Sequence, residues 1–314
     1  MGSFLQRVLL AIAALLALPA AASGAGSPPS ADGAAPHVEQ RAFRSEAMGR
    51  DIPFHLYLPE AYKSDPARRF PVVYWLHGSG GFPPGVIRML AGRFDAAIAE
   101  GRIPPLLVVF PDGLGESMWV DSKDGRLPME RIFVRELVPH VDATLRTVAT
   151  ARGRLLEGGS MGGYGAARLG LKYPELFGAV SMINAGPMQE VLEPRNAPSA
   201  GEARARATLD RVYGGDPDYF RANSPWVLAE GTEEAARKRL RFRQIVGGED
   251  PVLDANRRFS RHLSALGIPH DYRVLPGVGH SPAAVFPALG EWYWSFFAEA
   301  FQQPTPADPS ASRP

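Results

Sequence analysis

Short apolar runs that alternate with helix-forming stretches constrain this chain more than any other feature. The runs fall at residues 72–76, 106–110, 154–157, 177–183, 241–246 and 272–275. Stretches of helical character lie at 86–100, 129–147, 161–172, 253–266 and 283–301. Runs this short and largely apolar suit strands covered on both faces, and helix-length connections suit crossovers between parallel neighbours. The pattern predicts an α/β architecture, a mostly parallel sheet with helices on both faces. Ahead of it, residues 38–45 and 52–57 flank Met48-Gly49-Arg50 and predict an antiparallel hairpin at the sheet edge.

The rhythm fails between residues 186 and 240, which are rich in Pro, Gly and Arg. In an open α/β sheet ligands sit beyond the carboxyl ends of the strands, so an insertion leaving after the run at 177–183 is placed to cap such a site. The arginines of this stretch alternate with Glu and read as a solvated helical face, with carboxylate binding as the sharper alternative.

The two ends have a different character. Arg7 precedes a short apolar run at 8–18, Pro19 breaks it, and Ala20-Ala21-Ala22 follows as a small-residue cleavage site. Residues 1–25 are therefore expected to be a signal peptide that exports the chain to the periplasm or beyond; the run is too short to span a membrane. Residues 26–36 and 302–314 are expected to be a linker and a tail without order, leaving a folded domain at 37–301. The absence of cysteine removes disulfides, thiolate nucleophiles and cysteine-based metal sites. A net charge of +1 provides no field to gather nucleic acid or anionic lipid, so neither nucleic acid nor membrane is an expected partner. Phosphate-cradling loops, dinucleotide fingerprints and His-Glu-x-x-His are not found, and no cofactor or metal is expected. Nothing in the pattern speaks to the oligomeric state.

Gly158-Gly159-Ser160-Met161-Gly162 carries the chemistry. Gly-x-Ser-x-Gly between a buried strand and a helix lets the chain turn sharply with the serine at its tip, beside a helix N-terminus that favours negative charge. A serine hydroxyl needs a base to take its proton and an acid to orient that base, and in a fold where such an elbow follows a sheet strand they come after it in the order Asp or Glu, then His. Of His262, His270 and His280, only His280 lies in a loop just after the final strand run. His262 falls inside a helix and His270 just before a strand, where surface or capping roles are expected. Asp250 in Gly247-Gly248-Glu249-Asp250-Pro251 is the preferred acid, with Glu249 and Asp254 as alternatives. A developing oxyanion needs two N–H donors: Met161, after the serine, and one from His77-Gly78-Ser79-Gly80-Gly81, with Ser79 first and Gly80 next. His77 precedes the serine and is expected to hydrogen-bond within its own loop. Trp119, Tyr213 and Trp226 are candidates for an aromatic substrate wall, with core or cap packing as the alternative.

These blocks together resemble the esterase family of α/β-hydrolases that includes esterase D or S-formylglutathione hydrolase, feruloyl and acetylxylan esterases, enterobactin esterases and mycolyltransferases. The resemblance rests on Trp75-Leu76-His77-Gly78-Ser79-Gly80-Gly81, Phe110-Pro111-Asp112-Gly113, the segment Gly159 to Gly165, Gly247-Gly248-Glu249-Asp250 and Gly277-Val278-Gly279-His280, and covers about residues 40–300. It implies the α/β-hydrolase fold and hydrolysis of carboxylic esters through an acyl-enzyme, without metal or organic cofactor. The capping stretch departs from the family apart from Asn223-Ser224-Pro225, so the expected substrate stays general: a small-molecule or polymer-linked ester. An acyltransferase of the mycolyltransferase type and a non-catalytic binding module are the alternatives.

Overall fold

The computed structural model describes residues 37–193 and 201–302. The expected signal peptide, linker and tail lie outside the described residues, apart from Gln302. Eight strands form one sheet in the order β1-β2-β4-β3-β5-β6-β7-β8. They are β1 (Val38–Ser45), β2 (Arg50–Tyr57), β3 (Val72–Leu76), β4 (Leu107–Pro111), β5 (Arg154–Gly159), β6 (Ala179–Ile183), β7 (Arg241–Gly247) and β8 (Asp271–Leu275). β1 and β2 pair antiparallel, β2 joins β4 antiparallel, and the pairs from β4 to β8 are parallel. The hairpin thus closes one edge of an otherwise parallel sheet, as its sequence predicts.

Alternation along the central strands sorts their side chains into two cores. Val72, Tyr74 and Leu76 of β3 enter the core that holds the helix Met161–Lys172. Val73 and Trp75 enter the other, against the helices Pro84–Ala99 and Glu291–Ala300. Every residue of β3 and β4 is buried, because a strand covered on both faces has no polar side.

Two expected helices are interrupted. The stretch at 129–147 runs as Met129–Arg131, a π-helical turn Ile132–Leu137 and Val138–Thr144. Pro139 stands at the start of the last piece, where its missing N–H costs least. The final stretch divides at Gly290, whose φ of 52° and ψ of −140° favour glycine.

Beneath the sheet's ladder lies a fully buried ion pair. Arg243 of β7 meets Glu157 of β5 at 3.2 Å, Ser181 of β6 donates to that carboxylate at 2.9 Å, and the Tyr293 hydroxyl donates to it at 2.6 Å. Burial pushes the Glu157 carboxyl up, against the pull of Arg243 and these donors. The network ties three strands to the last helix.

Among the described residues the insertion between β6 and β7 contains the helices Glu202–Tyr213, Pro217–Ala222, Pro225–Gly231 and Glu234–Arg239. Ala205, Leu209, Val212, Tyr213, Phe220 and Ala229 sink into the core that carries Met161–Lys172, so the cap covers that face.

Candidate active site

β5 ends in a turn at whose tip Ser160 holds φ 55° and ψ −120°, a conformation that costs a non-glycine residue about 1–3 kcal/mol. Surrounding backbone pins it there. Ser160 N–H donates to Ile183 O at 2.9 Å, and Ser160 O accepts from Tyr164 and Gly186 N–H at 3.0 and 3.1 Å. A Cβ on Gly162 would stand 1.9 Å from Leu76 O, and one on Gly158 2.3 Å from Gly162 O. The two glycines let the elbow press against β3, which is the close approach that Gly-x-Ser-x-Gly makes possible.

The structure brings Ser160, His280 and Asp250 together from three separate loops. His280 Nε2 lies 3.0 Å from Ser160 Oγ, and His280 Nδ1 lies 2.8 Å from Asp250 Oδ2. The other carboxylate oxygen of Asp250 accepts from Val252 N–H at 2.9 Å, which fixes the rotamer. The Asp250 side chain is fully buried, whereas that of His280 is 35% exposed. A carboxylate that only accepts assigns the proton to Nδ1 and leaves the Nε2 lone pair facing the serine hydroxyl. Of the alternative acids, Asp254 points to solvent and pairs with Arg257, and Glu249 is exposed.

Asn184, which the motifs do not announce, ties these loops to one another. Its side chain accepts from Gly247 N–H at 2.9 Å and donates to Gly279 O at 3.3 Å. One amide therefore links the strand end before Asp250 to the residue before His280. Its place just after β6, at a carboxyl strand end, is the only sequence signal that marks it.

The loop after β3 lies across the elbow. A Cβ on Gly78 would come within 3.3 Å of Ser160 Cβ. Ser79 and Gly80 line the cavity that contains Ser160 and His280. Met161 is the first residue of its helix, where backbone N–H groups have no intrahelical acceptor. His77 is buried and bonds within its own loop through one nitrogen, Nδ1 to Gly78 O at 2.7 Å, as its sequence position predicts, while Nε2 accepts from Gly113 N–H of the loop after β4 at 2.8 Å. Burial holds its pKa below the ordinary 6.5.

The three candidate wall residues do not line this cavity. Trp119 is fully buried against His77, and its indole N–H donates to His77 O at 3.2 Å. Tyr213 is buried beside Tyr164, with hydroxyls 3.3 Å apart. Trp226 packs on His262 and donates to Met188 O at 3.0 Å. A large aromatic ring finds more apolar surface in the core than at an open cleft, and packing wins. The cavity, of about 410 Å³, is lined instead by Met118, Pro187, Gln189, Leu192, Arg204 and Thr208, among others. Arg204 is ion-paired with Glu116 at its rim. No motif distinguishes these residues in the sequence.

A second buried charge cluster fastens the cap. Arg168, on the helix after Ser160, donates to Glu130 at 2.6 Å, to Trp119 O at 2.8 Å and to Asn223 O at 3.1 Å. Burial alone would raise the Glu130 carboxyl, but Arg168, Lys172 and the Tyr173 hydroxyl outweigh it and bring it down to about 2. Asn223, in the one stretch of the cap with a family resemblance, is thus where the cap meets the helix of the elbow. Among the described residues no group of three metal-ligating side chains is arranged to hold an ion, and no helix is long and apolar enough to cross a membrane.

Comparison with known proteins bears on the fold and the family. A family model described as "Putative esterase" matches residues 45–288. The chain is 30% identical over 264 residues to Esterase Rv1288 of Mycobacterium tuberculosis, covering 76% of this chain and 54% of that one. It therefore spans about half the length of that curated relative. A solved structure of a ferulic acid esterase superposes with a TM-score of 0.70 at 21% identity, over 84% of this chain and 98% of the other. An S-formylglutathione hydrolase from Agrobacterium tumefaciens superposes with a TM-score of 0.66 at 19% identity, over 85% and 96%. Those likenesses are of fold, and the family match goes further: this chain belongs to the esterase family of the α/β-hydrolase fold.

Proposed function

We propose that the chain is an exported serine esterase that hydrolyses carboxylic esters through an acyl-enzyme. The observation that carries the reading is the continuous line of hydrogen bonds from Asp250 through His280 to Ser160 Oγ, at 2.8 and 3.0 Å. In this reading Nε2 takes the serine proton as Oγ bonds to the ester carbonyl carbon. The carbonyl oxygen becomes an oxyanion facing the N–H groups of Met161 and of Ser79 or Gly80. The intermediate collapses, the bond to the alcohol oxygen breaks, and Nε2 returns the proton to that oxygen. Water then attacks the acyl-enzyme along the same route, and the acid leaves with Ser160 restored. Asp250 stays ionised and stabilises the imidazolium.

Export rests on the sequence of residues 1–25 alone. It is tested by the mass of the mature chain from the periplasm or medium of an expressing host, where an intact leader counts against it. For catalysis, a fluorophosphonate is expected to label Ser160, and Ser160→Ala to lower kcat on nitrophenyl acetate by about 10³ or more. Labelling elsewhere, or turnover retained in the variant, overturns the reading.

A further inference from the structure

Ser160 stands between two cavities. The larger, under the cap, contains His280. The smaller holds about 190 Å³, touches Ser160 and Gly78 but not His280, and is walled by Trp75, Phe82, Val86, Met89, Leu90 and Phe286. A crevice that joins Ser160, His280 and Phe286 has room for about 20 Å³, too little for either arm of an ester.

We propose that the smaller cavity receives the acyl arm, and that the preferred acyl group is an unbranched aliphatic chain of short to medium length, with the alcohol placed under the cap. This rests on the esterase reading. When the intermediate collapses, the electron pair of the breaking bond goes to the alcohol oxygen, which takes its proton from Nε2. That oxygen must lie within hydrogen-bond reach of Nε2, and so in the cavity that His280 lines. The acyl substituent leaves the same carbon in another direction, and the cavity without His280 is there to take it.

The walls choose the chemistry of that arm. Apart from His77, Ser160 and the indole N–H of Trp75, which acts on the buried Glu157 carboxylate, the lining side chains are apolar, and both ring nitrogens of His77 are committed, to Gly78 O and Gly113 N–H. The phenolic hydroxyl of a hydroxycinnamate would find no side-chain partner there in place of water. An alkyl chain loses nothing, and each buried methylene is worth about fourfold in binding. Met89, at 38% exposure, is the one large hydrophobic side chain strongly exposed among the described residues, and an alkyl chain in the cavity would cover it. A volume of about 190 Å³ is below that of pockets for drug-sized ligands, which sets a limit on chain length.

The test is a pair of series: nitrophenyl esters from acetyl to palmitoyl, plus feruloyl, and acetate esters of alcohols of increasing length. The expected result is kcat/KM at least about tenfold higher for hexanoyl than for acetyl, a fall towards palmitoyl, and feruloyl below hexanoyl. Met89→Trp, which narrows the mouth from a surface position, is expected to bring the hexanoyl-to-acetyl ratio to within about threefold. Feruloyl turned over faster than hexanoyl, a flat acyl profile, or a Met89→Trp effect confined to the alcohol series overturns the assignment while leaving the esterase reading in place. A folded wild type inert towards both series removes the esterase reading, and this one with it.

Discussion

The loop after β3 and the loop after β8 each carry a histidine into a cavity that contains Ser160, and the two imidazoles have opposite surroundings. His77 is 3% exposed, and its nitrogens are occupied by the carbonyl of Gly78 and the N–H of Gly113. His280 is 35% exposed, faces a buried carboxylate on one side and an alcohol on the other. A ring held by neutral backbone groups, with burial depressing its pKa, has no reason to change protonation. A ring held by a carboxylate on one nitrogen has its other nitrogen directed at the serine hydroxyl, which is the geometry the proposed reading needs. Proximity to the serine does not make a histidine a base; the partner on its far nitrogen does.

The sharpest way to break this contrast is to remove each ring in turn. His280→Ala is expected to lower kcat by about 10⁴, with a thermal midpoint within about 3 °C of wild type, since a partly exposed ring contributes little to packing. Equal loss of turnover in a well-folded His77→Ala protein would mean that the two rings do not differ in kind. Next in size is Asn184→Ala, which severs the link between the Asp250 and His280 loops. A fall in kcat of about tenfold with KM within about threefold is expected from a slack base. A KM effect alone would instead give Asn184 a role in binding.

His77→Ala should act mainly on stability. It leaves the buried N–H of Gly113 without its acceptor and lowers the unfolding free energy by about 2 kcal/mol in urea titration at pH 7. The smallest effect is its pH dependence. Because the folded pKa of His77 lies below its unfolded value, its contribution to stability is present above about pH 6.5 and is lost as pH falls towards the folded value. The gap between wild type and His77→Ala should narrow from pH 7 to pH 5. A constant gap would show that the folded ring titrates no lower than the unfolded one.

Much of this molecule is written in local pattern. The runs at 72–76 and 106–110 are recognisable because strands buried on both faces favour uninterrupted apolar residues, and β3 has the bounds its sequence predicts. The elbow is legible because its glycines answer a local steric demand, seen in the clash that Gly162 avoids with Leu76 O. Chain order after the serine leaves His262, His270 and His280, and the loop position after the last strand run selects His280 as the candidate base. The breaks at the π-turn Ile132–Leu137 and at Gly290 were not legible, since helical periodicity continues across both.

What the sequence determined by itself was a sheet, an elbow and the types of side chain that must meet there, because strand burial and tight turns act over a few neighbouring residues. Only the tertiary structure decided which carboxylate reaches His280, that Asn184 joins the two loops, and that Trp119, Tyr213 and Trp226 go to packing rather than to the cleft. Those outcomes depend on groups from 30 to 120 residues apart arriving at hydrogen-bond distance, and on competition for burial that no stretch of chain can settle alone.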